Sequence, residues 1–188
     1  MRKVKTLLMI NWGIGHNVLL TLMEHTEINI KRVITHSKSN NQDPWYNYVF
    51  DACIEYNIPY TNEIGLDWAD LKQIIIDEEI ELVILHAFMR ILPADVINIP
   101  KYGVLNIHPS YLPNYPGKDP TSNVLKNGDN ETGLTLHQVD EGVDTGQIIS
   151  QVKIPVFKGD NRVKIIERMK EYVPLVMVGL TKHINNKK

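Results

Sequence analysis

The chain is poor in cysteine, in excess charge of either sign and in long apolar runs, and each shortage excludes something. Its single cysteine, Cys53, rules out an intrachain disulfide and a cysteine-rich zinc cluster. Cys53 lies in Val49-Phe50-Asp51-Ala52-Cys53-Ile54 and reads as a small buried apolar residue. The 20 Lys and Arg residues face 22 acidic ones, so the net charge of -2 offers no basic field to a nucleic acid. The lysine-rich end, residues 182–188, reads as a frayed tail rather than a binding arm. No apolar run reaches the roughly 18 residues that a membrane span needs. No signal peptide precedes the first apolar run. The expectation is a cytoplasmic protein with no membrane or nucleic-acid partner and no metal. There is no repeat, low-complexity stretch or linker, so residues 1–188 are expected to form one domain.

What is present is alternation. Val4 to Ile10 is an apolar run that reads as a buried first strand. Gly13 and Gly15 punctuate what looks like a turn, and Asn17 to Glu24 has helical spacing. Ile28 to Thr35 is a second strand, His36 to Pro44 a polar loop, and Trp45 to Tyr56 a helix. Ile58 to Tyr60 fits a very short strand, Trp68 to Glu78 a helix, and Glu81 to His86 a buried strand. Pro93 to Ile97 is a short helix, Gly103 to Ile107 a strand and Thr121 to Lys126 a helix. Gly133 to Val139 and Gln147 to Ile154 are strands close enough to pair antiparallel. Val163 to His183 closes the chain as a long helix, with Pro174 as the point where it would bend. This pattern predicts an α/β, Rossmann-like fold: a mostly parallel twisted sheet flanked by helices, with an antiparallel C-terminal part.

One constellation carries chemistry. Asn106 and His108 are two apart at the end of a strand, so their side chains share a face. That end of an open α/β sheet faces the ligand crevice. An amide and an imidazolium N–H can both donate to a developing oxyanion. Asp144, between Gly142 and Gly146, can hold His108 charged and accept a proton, directly or through water. The same residues taken singly also fit a structural strand histidine and a turn aspartate.

Three separated segments decide between these readings. Phe88-Met89-Arg90-Ile91-Leu92, Asn106-Ile107-His108-Pro109-Ser110-Tyr111-Leu112-Pro113 and Gly133 to Gly146 together resemble the formyltransferase family that uses 10-formyltetrahydrofolate. The resemblance is close over roughly residues 80–157, weaker before and poor after about residue 160. It implies that Asn106, His108 and Asp144 are the catalytic trio. It implies that Met89, Arg90 and Leu92 line the folate pocket, and that Val139, Asp140, Glu141 and Val143 belong to the loop around the pteridine. It places His137 near the catalytic site, where a histidine bonded only to its strand neighbour is the alternative. It also implies that the Leu112-Pro113 bond can be cis. No metal and no covalent enzyme intermediate are needed.

The acceptor is where the chain departs from the family. Asn11-Trp12-Gly13-Ile14-Gly15-His16-Asn17 lacks the Ser-Asn pair with which the glycinamide ribonucleotide branch holds a substrate phosphate. Gly13 and Gly15 could still form a small anion nest, or simply a tight strand-to-helix turn. Trp12, Trp45 and Trp68 fit packing or ligand platforms, and Trp12 is the candidate for acceptor binding, with Gly13 and Gly15. The closing helix also lacks the Glu-His pattern that the glycinamide ribonucleotide branch places before its Tyr-Pro, having Met169 to Pro174 there. Residues 33–36, 56–59 and 127–133 resemble the sugar and tRNA branches, whereas Tyr115-Pro116-Gly117 follows the ribonucleotide branch. A tRNA acceptor is disfavoured by the acidic charge and the lack of a second, basic domain. The expected acceptor is a small amine, a nucleotide-linked amino sugar, with glycinamide ribonucleotide second. A formyltetrahydrofolate hydrolase and a non-catalytic folate-binding module are the remaining alternatives.

Overall fold

The computed structural model describes residues 2–40 and 43–187. In chain order the elements are β1 (Val4–Ile10), α1 (Trp12–Met23), β2 (Ile28–Thr35), α2 (Tyr48–Glu55), β3 (Tyr60–Asn62), α3 (Trp68–Asp77) and β4 (Leu82–His86). There follow α4 (Ala94–Ile97), β5 (Val104–His108), α5 (Pro120–Asn127), β6 (Glu131–Gln138), β7 (Ile148–Pro155) and α6 (Arg162–Asn186). The seven strands form one sheet in the order β3-β2-β1-β4-β5-β6-β7. From β3 to β5 the pairs are parallel; β5–β6 and β6–β7 are antiparallel. This is the expected Rossmann-like sheet with its antiparallel end.

The apolar runs of β1 and β4 follow from burial on both faces. Leu8 and Ile10 pack into the layer formed with α1, α2 and α6, while Leu7 and Met9 pack under α3 and α4. All four are fully buried, each contributing about 2 kcal/mol of apolar burial. Cys53 is buried in the first layer, where desolvation pushes its thiol up to about 12. Strand order reverses between β1 and β4, the place where open α/β sheets leave a crevice at their carboxyl ends.

Two segments differ from expectation. The residues read as a glycine turn are the first turn of α1, which begins at Trp12, not Asn17. Packing overrides the low helix propensity of glycine there. A Cβ on Gly13 would lie 3.0 Å from the Trp45 indole, and one on Gly15 3.2 Å from Ile10. The expected frayed tail is helical through Asn186, because His183 and Ile184 are buried and His183 Nε2 bonds the Tyr102 carbonyl at 2.8 Å. Residues 41 and 42 of the expected loop, and Lys188 of the expected tail, lie outside the described residues.

Helix α6 continues through Pro174. Proline has no N–H to give the Lys170 carbonyl one turn earlier. Asn17 Nδ2 donates to that carbonyl instead, at 3.1 Å, and so ties α1 to α6. Among the described residues no helix is long and apolar enough to cross a membrane.

Candidate active site

A cavity of about 430 Å³ opens at the carboxyl ends of β1, β4 and β5. The trio meets at one end of it. Strand alternation puts Asn106 and His108 on the same face of β5, and the antiparallel register sets His137 of β6 opposite Asn106. A register shift between Leu136 and His137 marks a bulge beside the site, a feature that re-aims side chains. Asp144 reaches in from the loop between β6 and β7 with a positive φ of 54°. That loop is held by Asp140, whose Oδ1 accepts from the Gly142 amide at 3.0 Å and the Thr145 hydroxyl at 2.8 Å. Gly146 is forced by close approach: a Cβ there would sit 1.9 Å from the Gln138 carbonyl oxygen.

Asp144 is the hub. Its Oδ1 accepts from Asn106 Nδ2 at 3.2 Å, and its Oδ2 accepts from the Gly117 amide at 2.8 Å. His108 Nδ1 lies 3.3 Å from Oδ2, and His137 Nε2 lies 3.5 Å from Oδ1. Burial works to raise the Asp144 pKa. The bond from His137, the charge of His108 and the Gly117 amide outweigh it, so the group is lowered and stays ionised. His137 Nδ1 faces the Gln138 carbonyl at 2.7 Å and so carries the proton. Its Nε2 lies 3.2 Å from Asn106 Nδ2 and donates to Asp144 only when it too carries a proton.

His108 is engaged at both nitrogens. Nε2 faces the Tyr115 carbonyl at 2.8 Å, which fixes a proton on it. Nδ1 then faces the Asp144 carboxylate and is the nitrogen that can take up a second proton beside it. Geometry and burial pull in opposite directions. Two acceptors favour the charged ring, but removal from water disfavours it more strongly, and the His108 pKa is lowered from 6.5. The sequence led us to expect a charged His108 pointing at the same oxygen as Asn106. In this arrangement the ring is turned to Tyr115 and Asp144, and burial favours its neutral form.

The residues expected around the folate come together, with one exception. Met89, Arg90, Leu92, Val139, Asp140 and Val143 all line the cavity; Glu141 does not. The Arg90 guanidinium is spent on structure: it stacks 3.8 Å from the Trp68 ring centroid and donates to the Leu66 carbonyl. Met89, Ile91 and Val143 are more than half exposed, an apolar rim suited to a planar ligand. Leu112-Pro113 is cis. At the opposite end Trp12, Gly13 and Ile14 line the cavity, and Gly15 does not. Gly15 instead faces Ile10 and the His86 ring. The first turn of α1 is covered by Trp45, whose Nε1 donates to Glu167 at 2.5 Å, and by Lys170. Side chains thus occupy the space on the Cβ side of Gly13, while Gly13 itself still lines the cavity.

Sequence reasoning missed His86. It ends β4, lines the cavity and is 4% exposed, with Nδ1 donating to the Ile107 carbonyl between Asn106 and His108. Burial drops its pKa to about 4. Also missed was a polar cluster behind Trp12. Asn11 accepts from the Thr35 hydroxyl and the His36 amide and donates to Glu63, which pairs with His36 at 2.9 Å. Among the described residues no group of side chains is arranged to hold a metal ion.

Residues 20–180 match the family model described as formyl transferase. The chain is 30% identical over 174 residues to methionyl-tRNA formyltransferase of Caldicellulosiruptor saccharolyticus, covering 90% of this chain and 56% of that protein. It is 36% identical over 159 residues to the trifunctional purine biosynthetic protein adenosine-3 of Chironomus tentans, covering 75% of this chain and 12% of that one. It thus spans little more than half, or much less, of these curated relatives. The crystal structure of phosphoribosylglycinamide formyltransferase from Bacillus halodurans superimposes with a TM-score of 0.78 at 21% identity, covering 97% of this chain and 96% of that one. That likeness concerns the fold.

Proposed function

The chain belongs to the formyl transferase family, and from that premise we propose that it moves a formyl group from 10-formyltetrahydrofolate to the primary amine of a small acceptor. The observation that carries this reading is the convergence of Asn106, His108 and Asp144 at one end of a single cavity. The apolar rim of Met89, Ile91 and Val143 beside that end suits the planar pteridine of the donor.

In the reaction a neutral amine attacks the formyl carbon. A new C–N bond forms, the bond from that carbon to N10 breaks, and the amine's proton passes to N10. Asn106 Nδ2, swinging from Asp144, donates to the oxyanion. The His108–Asp144 pair holds the travelling proton on the Nδ1–Oδ2 axis. Developing negative charge draws His108 toward its charged form and offsets the burial that opposes it.

For the acceptor we favour a nucleotide-linked amino sugar. The Trp45 ring packs against Gly13 in the first turn of α1, where a phosphate would be gripped, and Trp12 offers a flat apolar face at the rim. Glycinamide ribonucleotide is the second reading, favoured by the fold likeness to phosphoribosylglycinamide formyltransferase over nearly the whole of both chains. The test is formyl transfer from 10-formyltetrahydrofolate with amino-sugar nucleotides, glycinamide ribonucleotide and methionyl-tRNA in parallel. Turnover with an amino sugar alone supports the reading. Turnover with either of the others replaces the acceptor but keeps the chemistry. Release of free formate without an amine product means water is the acceptor, and folate binding with no turnover means a binding module. Trp12→Ser should raise the acceptor KM and leave the donor KM unchanged.

A further inference from the structure

Residues 115–117 grip both halves of the His108–Asp144 pair. The Tyr115 carbonyl faces His108 Nε2 at 2.8 Å, and the Gly117 amide donates to Asp144 Oδ2 at 2.8 Å. Pro116 between them has its φ fixed by its ring. Tyr115 itself has a positive φ of 54° and precedes a proline, a combination that a non-glycine residue rarely adopts unaided. Its far end is anchored. The phenol donates to Asp129 Oδ2 at 2.5 Å and accepts from Asn127 Nδ2 at 2.7 Å. Both anchors follow from local sequence: Asn127 ends α5, and Gly128, with a φ of 70°, turns the chain so that Asp129 faces the same hydroxyl.

We propose that Tyr115 is a positioning residue: its anchored carbonyl keeps a proton on His108 Nε2, so that only Nδ1 exchanges a proton with Asp144. This rests on the catalytic reading of the trio given above. A mobile carbonyl would let the ring place its proton on either nitrogen, and the Nδ1–H tautomer leaves no lone pair on Nδ1 to take up a proton beside the carboxylate. The charged and titratable groups facing His108 are Asp144 from its loop, His137 from β6 and His86 from β4. None of these is altered by removing the phenol hydroxyl or its partner.

The test uses the full chain with ¹⁵N-labelled histidine. Imidazole shifts of His108 are followed against pH in the wild type, Tyr115→Phe and Asp129→Asn, with His108→Gln to assign the signal. In the wild type the neutral ring should be protonated on Nε2. In both variants that tautomer should give way to a mixture, and the midpoint should fall, because an acceptor for the charged ring is loosened. kcat should drop on the order of 10-fold with the donor KM unchanged. Spectra and midpoints that superimpose on the wild type in a folded variant overturn the proposal. If Tyr115→Phe does not fold, Asp129→Asn carries the test alone, since it leaves the tyrosine in place. The spectra need no turnover. An inactive wild type with the expected tautomer would sink the formyl-transfer reading and leave this one standing.

Discussion

The two ends of the cavity are built in different ways. At the catalytic end, each group of the trio, and His137 beside it, is fixed by a strand or a tight loop: Asn106 and His108 by β5, His137 by the facing strand, Asp144 by a glycine-bounded loop. At the acceptor end, the wall is assembled from remote pieces, with Trp12 and Gly13 from the first turn of α1 and Trp45 from the loop before α2, the last held from behind by Glu167 of α6. The first end is polar and bonded throughout. The second is closed by an indole packed on a glycine. On the proposed reading, the reaction and the choice of acceptor sit on separable parts of the fold. One can vary while the other stays fixed.

The strongest way to break this contrast is at the catalytic end. Asn106→Ala and His108→Ala should each lower kcat on the order of 100-fold or more, with folding intact by circular dichroism. Near-wild-type turnover would remove the trio from the chemistry. Gly146→Ala is next. Its methyl group would meet the Gln138 carbonyl oxygen, so the loop must move and carry Asp144 with it. A loss of roughly 100-fold in kcat is expected. Gly13→Ala is the matched change at the other end. Its Cβ would press the Trp45 ring, so acceptor KM should rise while kcat stays within a few fold. Equal losses of kcat in the two glycine variants would mean that the ends are not separable.

A third prediction concerns pH. His86 titrates near 6.5 in the unfolded chain and at about 4 in the fold, where burial holds it neutral. Between these values the unfolded state binds the extra proton, so stability falls as pH drops from 6.5 toward 4, by about 3 kcal/mol in all. Below 4 this loss is complete. His86→Asn keeps a donor for the Ile107 carbonyl and removes the titration. Urea midpoints at pH 7 and pH 5 should differ less in that variant than in the wild type. The smallest effect belongs to the acceptor end: Asn17→Ala leaves the Lys170 carbonyl without its donor and should cost about 1 kcal/mol in thermal or urea unfolding.

Much of this was legible in the sequence, for physical reasons that can be named. Val4–Ile10 and Ile28–Thr35 were readable as strands because burial demands apolar runs or alternation there. Asn106 and His108 were readable because they lie two apart at a strand end, whereas Asp144, 38 residues beyond Asn106, was joined to them by the resemblance. The start of α1 was not readable. Two glycines in three residues signal a turn, and only the Trp45 ring and Ile10 beside them explain a helix. His86 was hidden because a histidine closing an apolar strand looks like any strand residue until the carbonyl of the neighbouring strand is seen. Arg90 was placed on the cavity by resemblance, but its partner Trp68 stands 22 positions away in sequence, with no local signal to join them.

The Asn17–Lys170 bond closes a chain separation of 153 residues. A contact of that span cannot form until nearly all of the chain is available, whereas the catalytic loop and its strands all lie within residues 104–155. Order of assembly therefore follows: the β5–β7 unit can form early, and the α1–α6 wall closes late. A folding study would see this as amide protection arriving first around residues 104–155 and last along the seam between the two helices. The same seam, being the last to close, is the first that a mild denaturant would open, and acceptor selection would be lost before the catalytic groups are disturbed.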